Sequence, residues 1–270
     1  MAFIMTNDNV KIYYEVHGSG KPLFMLPGWT CSTRFWKHNV DELSKHFMVI
    51  LMDMRGHGES EKVMHSHRIS RYAMDVKNLL DALDVNHVTV LGWSMGASIL
   101  WSYIELFRNH RIDSLICVDQ SPAQYVKPDW KWGQKACFDV ETFLQTCFAA
   151  LSNPREAAEG LIGACLKHDD SPQDHKMLVD EICKCPPYVR IEIMRDHTNL
   201  DWRDFIPHIK LPTLVCVARE SRVFDPEGSA WVGENIPGAK IHYFEDCSHM
   251  LFWENAEEFN EVVTQFIEEL

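Results

Sequence analysis

Short apolar segments punctuate this 270-residue chain: "KIYYEV", "PLFML", "FMVILMD", "HVTVLG", "SLICVD", "PTLVCVA" and "KIHYFED" read as strands bounded by turn residues. Several are apolar without interruption. A strand of that kind leaves no face for water, so it belongs in a largely parallel sheet with helices on both sides, an α/β architecture. The intervening segments supply the helices: Ile69, Tyr72, Ala73, Val76, Leu79, Leu80 and Leu83 recur at three and four, as do Phe259, Val262, Val263, Phe266 and Ile267. One stretch breaks the alternation. Residues 123–205 hold helical and aromatic sequence without a convincing strand, over far more chain than a usual connection needs. The expected organisation is a core of residues 1–122 and 206–270, with 123–205 a helical cap inserted after "SLICVD".

Hydrophobic residues at 46% and charged residues at 24% suit a folded, soluble protein. A net charge of minus 13 would repel a polyanion, so nucleic acid is not an expected partner. The start "MAFIMTNDNVKIYYEV" lacks the basic and apolar regions of a signal peptide, and no window has the length of a membrane span; a cytoplasmic protein without a membrane partner is expected. The nine cysteines are scattered through apolar and helical contexts, and "CKC" at 183–185 is too tight for a C-x-x-C pair. They are expected to be mostly small core residues, with no metal site.

"VTVLGWSMGAS", residues 88–98, sets Ser94 in G-x-S-x-G between an apolar strand and a helical segment. Gly92 and Gly96 matter because so sharp a turn leaves no room for side chains two residues either side of the serine. The hydroxyl is lifted above the sheet at a helix N-terminus, where backbone N–H groups can meet a developing negative charge. A serine is a weak nucleophile and needs a base that can later return the proton. Of the fourteen histidines, His249 in "YFEDCSHMLFWE" suits that task best, since it follows the last strand. His65, His67, His168 and His175 fit exposed or capping positions better.

Taken together, "LPGWT", "DMRGHGES", "GWSMGAS" and "SHMLFWENAEEFN" make nearly the whole chain resemble the α/β-hydrolase family, and within it the serine esterases and cofactor-free haloperoxidase-like enzymes. The resemblance implies no cofactor. It implies that Trp29 and Met95 supply the N–H groups of the oxyanion hole, and that Asp53, Arg55 and His57 in "DMRGHGES" shape a turn rather than react. Pro27 stands where many relatives carry histidine, one residue outside the donor pair.

The acid is less plain. Relatives commonly carry it after the strand written here "PTLVCVA", in G-x-x-D, but this chain reads Ala218, Arg219, Glu220, Ser221, with serine in the aspartate position. Some relatives place the acid at the end of the preceding strand, where Asp119 stands. A carboxylate there would hold the tautomer of the histidine and balance its charge. Glu220 and Asp225 are the alternatives, and a turn-capping role for Asp119 is the bland reading.

The insertion's Tyr125, Trp130, Trp132, Phe138, Phe143, Phe148 and Tyr188 are expected to form its core and in part to roof the site. No arginine cluster converges on the site. The expected activity is therefore hydrolysis of a small hydrophobic or aromatic ester or lactone through an acyl-enzyme. A cofactor-independent dioxygenase, a perhydrolase, a carbon–carbon hydrolase or a non-catalytic small-molecule receptor could use the same scaffold. Oligomeric state is not encoded in any of these patterns.

Overall fold

In the computed structural model, which describes residues 2–270, the apolar segments pair into a single eight-stranded sheet. Its strands are β1 (Ala2–Met5), β2 (Lys11–His17), β3 (Lys21–Leu26), β4 (Phe47–Met52), β5 (Val88–Trp93), β6 (Ile112–Val118), β7 (Thr213–Ala218) and β8 (Lys240–Phe244). They lie in the order β1-β2-β4-β3-β5-β6-β7-β8. The β1–β2 and β2–β4 pairs are antiparallel and the rest parallel. Only β1 is absent from the sequence-based set of strands. It is a four-residue edge strand, half-exposed at alternate positions, too short to carry a pattern.

The uninterrupted runs are apolar because both faces of the sheet are covered. Along β3, Phe24 and Leu26 enter one core while Leu23 and Met25 enter the other; along β4, Ile50 and Met52 separate in the same way from Val49 and Leu51. The helices are α1 (Val40–Leu43), α2 (Ile69–Ala82), α3 (Met95–Phe107), α4 (Val140–Ser152), α5 (Pro154–Cys165), α6 (Pro172–Cys183), α7 (Pro187–Thr198), α8 (Pro226–Asn235), α9 (Leu251–Glu254) and α10 (Ala256–Glu268). The periodic residues of α2 and α10 face the sheet, while every residue of α3 from Met95 to Ile104 is buried.

Between β6 and β7 the chain leaves the sheet and builds α4 to α7. Their starts are locally encoded: Asp139 and Thr142 form a reciprocal capping box, and Asn153 and Ser171 cap helices whose first residue is proline. The insertion is tied to the sheet end of the molecule. The Met250 N–H, beyond β8, donates to Cys165 O at 2.9 Å, while the buried Arg190 guanidinium holds the insertion together internally by donating to the carbonyls of Cys185, Ile182 and Pro154. All nine cysteines are free thiols. No helix among the described residues is long and apolar enough to cross a membrane.

Candidate active site

The parallel ladder carries the candidate residues to one rim. Leu26 of β3 lies opposite Gly92 of β5, Trp93 lies opposite Val118 of β6, and Val118 lies opposite Cys216 of β7. The ladder runs one step beyond the strands: the Ser94 N–H donates to Val118 O at 2.9 Å, and the Asp119 N–H donates to Cys216 O at 2.9 Å. Trp29, Ser94 and Asp119 therefore leave neighbouring strands at the same edge, and His249 follows β8, two strands beyond β6 in the sheet.

Ser94 sits at φ 54°, ψ −127°, a conformation that side-chain-bearing residues rarely adopt. Close packing enforces it. A Cβ on Gly96 would lie 2.5 Å from Leu26 O, and one on Gly92 would lie 2.5 Å from Ala97 N, so both glycines admit backbone where a side chain would be. A Cβ on Gly28 would come within 3.2 Å of Ser94 Cβ, which shows how near the turn after β3 approaches the serine. The Trp29 and Met95 N–H groups bordering that approach have no protein acceptor among the described residues. The Trp29 ring is fixed from the insertion, its Nε1 donating to Arg190 O at 3.0 Å.

His249 Nδ1 lies 2.7 Å from a carboxylate oxygen of Asp119, and both residues are buried. Trp93 Nε1 donates to His249 O at 3.0 Å, and the imidazole packs against the Trp93 and Phe224 rings. Its other ring nitrogen, Nε2, has no protein partner among the described residues and opens on a cavity that Ser94 also lines. The hydroxyl and the imidazole share this cavity without a direct hydrogen bond.

Asp119 has further partners. Ser221 Oγ donates to Oδ2 at 2.7 Å and Ser229 Oγ to Oδ1 at 3.0 Å. The serine in the family's usual aspartate position thus holds the carboxylate standing on the neighbouring strand. Glu220 and Asp225 do not reach the imidazole: Glu220 pairs with Lys167 at 2.7 Å, and Asp225 pairs with Lys135 at 3.1 Å.

The "DMRGHGES" residues are engaged elsewhere. Asp53 accepts the Thr33 and Glu59 N–H groups, each at 2.7 Å, Arg55 bridges Asp8 and Asp75, and the buried His57 ring contacts Arg55 O. Burial pushes Asp53 up to about 6 and His57 down to about 3.

A model of the alpha/beta hydrolase fold matches residues 21–256. The chain belongs to the α/β-hydrolase family. It is 25% identical to AB hydrolase superfamily protein YisY of Bacillus subtilis, over 98% of both chains. It is 25% identical to the non-heme chloroperoxidase CPO-A1 of Kitasatospora aureofaciens, over 99% of both chains. Among solved structures, an esterase from Exiguobacterium antarcticum superposes with a TM-score of 0.94 at 22% identity, covering 99% of each chain.

As in other α/β-hydrolases, the cavity opens above the strand ends. Its aromatic walls correct one expectation. They are Trp29, Phe35, Trp93 and Phe224, all from outside the insertion, and none of the seven aromatics named in the insertion lines it. Trp130 is edge-on to Trp132 and Trp231 with Arg203 over its face, Phe143 packs beside Cys137 and Met194, and Phe148 is exposed. Trp130, Trp132 and Phe143 hold the insertion to itself and to the helix of Trp231. His67 is also buried rather than exposed, within reach of the Tyr72 hydroxyl at 3.0 Å. The insertion instead lines the cavity with aliphatic groups such as Leu161 and Ile162, and with Gln124, Gln134 and His197. No spacing in the sequence marks those three.

Proposed function

We propose that this α/β-hydrolase is a serine hydrolase that cleaves small neutral esters or lactones through an acyl-enzyme, with residues 123–205 acting as the cap over the site. The observation that carries the reading is the 2.7 Å contact between His249 Nδ1 and Asp119, made where the free Nε2 and the Ser94 hydroxyl open on one cavity. Ser94 Oγ attacks the acyl carbon as His249 Nε2 takes its proton. The carbonyl π electrons move to oxygen, which the Trp29 and Met95 N–H groups receive; one such donor is typically worth about 10²–10³ in rate. Collapse expels the alkoxide, which leaves as the alcohol with the proton from His249. Water then attacks the acyl-serine with its proton passing to the same nitrogen, and the second collapse returns that proton to Ser94 Oγ. Asp119, acceptor-only when ionised, fixes the tautomer that exposes Nε2 as an acceptor and balances the imidazolium.

The wall of Phe35, Leu161, Ile162 and Phe224 favours an apolar acyl group, and no Asp, Glu, Lys or Arg lines the cavity among the described residues. A fluorophosphonate probe followed by peptide mapping is expected to label Ser94. Ser94→Ala is expected to lose the label and at least about a thousandfold of p-nitrophenyl ester turnover. Labelling elsewhere, or turnover retained in that variant, would overturn the assignment.

A further inference from the structure

Two polar side chains on the cavity wall have no part in the proton relay. Gln124 and His197 are each only 3% exposed, yet Gln124 Nε2 and His197 Nδ1 are enclosed without a protein hydrogen-bond partner among the described residues. Other enclosed polar atoms share that condition, on Trp36, Ser98 and Trp202 for instance, but Gln124 and His197 alone among them line the cavity that holds Ser94. Buried polar groups are nearly always paired, so each of these two indicates a missing partner.

Both are held on firm backbone. The Gln124 carbonyl accepts the Gln134 N–H at 2.7 Å, Ala123 forms a bridge with Asp201, and the Trp202 N–H donates to Pro122 O at 3.0 Å. His197 lies in the last turn of α7. The backbone segments that carry the two side chains are thereby stitched together.

We propose that Gln124 and His197 are a recognition pair for a neutral amide carried by the substrate away from the bond that is cut. The inference rests on the serine hydrolase reading given above. A carboxamide offers donors and an acceptor, and a neutral imidazole offers one of each. Burial keeps His197 neutral, pushing it down to about 3. With no charged residue on the wall, a carboxylate or an ammonium would have no counter-ion there. An amide, whose N–H and C=O lie on separate atoms, offers a donor and an acceptor to match the two side chains on this wall. An all-carbon chain would leave both unpaired, the arrangement by which a site rejects an analogue lacking the polar group.

The test compares kcat/KM for p-nitrophenyl esters of 3-acetamidopropanoate, 4-acetamidobutanoate and 5-acetamidopentanoate with all-carbon and hydroxyl-bearing esters of equal chain length. At the best-fitting length the amide is expected to be favoured about tenfold or more. That ratio is expected to fall to about one in Gln124→Leu and in His197→Phe. Equal or better use of the all-carbon or hydroxyl ester at every length, or a ratio unchanged in both variants, would overturn the proposal. Where a variant does not fold, the wild-type ratios decide.

p-Nitrophenyl acetate, which carries no amide, tests the serine hydrolase reading separately. If its Ser94-dependent turnover is present and the amide preference is absent, the recognition pair alone fails. If wild type turns over no ester, calorimetric binding of N-butylacetamide supports the pair, and no binding refutes it.

Discussion

Ser221 occupies the place where relatives commonly hold the acid, and its hydroxyl donates to the carboxylate that stands on the neighbouring strand instead. The carboxylate and the hydroxyl are therefore unequal in weight. Asp119→Asn would present an amide to His249 Nδ1, favour the wrong tautomer and remove the charge that balances the imidazolium. Ester kcat is expected to fall about ten-thousandfold. Ser221→Ala removes one of several hydrogen bonds to Asp119, and a loss of about tenfold or less is expected. Steady-state kinetics on one aryl ester decide the matter: similar losses in the two variants would refute the acid assignment. At this scale the sequence already exposed Ser94, His249 and Asp119 as candidates, because each follows an apolar strand at a turn. It favoured Asp119 and kept Glu220 and Asp225 as alternatives, since sequence alone does not show which carboxylate lies 2.7 Å from the imidazole.

At the scale of elements, the unit that matters is β5, the tight turn and α3. The positive φ of Ser94 persists because Gly92 and Gly96 let three pieces of backbone crowd together. Gly96→Ala would drive a methyl to 2.5 Å from Leu26 O and 2.8 Å from Pro27 O, neither of which is the mobile end of a side chain. A loss of about 2–3 kcal/mol in urea denaturation is expected, together with a drop in ester turnover, because the displaced strand end leads directly to Trp29. Unchanged stability would mean that the turn tolerates opening. The glycines were legible from their spacing alone. β1 was not, because a short edge strand is specified by the partner it pairs with.

Across the whole molecule, buried titratable groups set a direction for pH dependence. Burial holds both His57 and His197 at about 3 in the folded protein, against an ordinary value of 6.5. Between those limits the unfolded chain binds protons that the folded protein does not, so their stabilising contribution is complete above 6.5 and is lost as pH falls. Asp53 opposes them: raised from 3.8 to about 6, it favours the fold in acid and its contribution is lost as pH rises through that window. Two histidines with the larger shifts outweigh one carboxylate. Stability is expected to fall by about 2 kcal/mol or more between about pH 7 and 4.5. Urea midpoints across that range check this, and His57→Gln should have the shallower slope whatever its absolute stability. An identical slope would remove His57 from the account.

The apolar and periodic segments and the short motifs determined the α/β class, the sheet-covering helices, the tight turn at Ser94 and the family, because those features depend on local pattern and short spacing. Tertiary structure decided the rest: Ser221 as a partner of Asp119, the aromatics of the insertion as its own packing, and Gln124 and His197 as polar groups on the cavity wall. The physical reason is shared by all three. Local sequence specifies which faces of an element are apolar, but the direction in which a polar or aromatic side chain points is set by neighbours distant in the chain, as Ser221 is from Asp119.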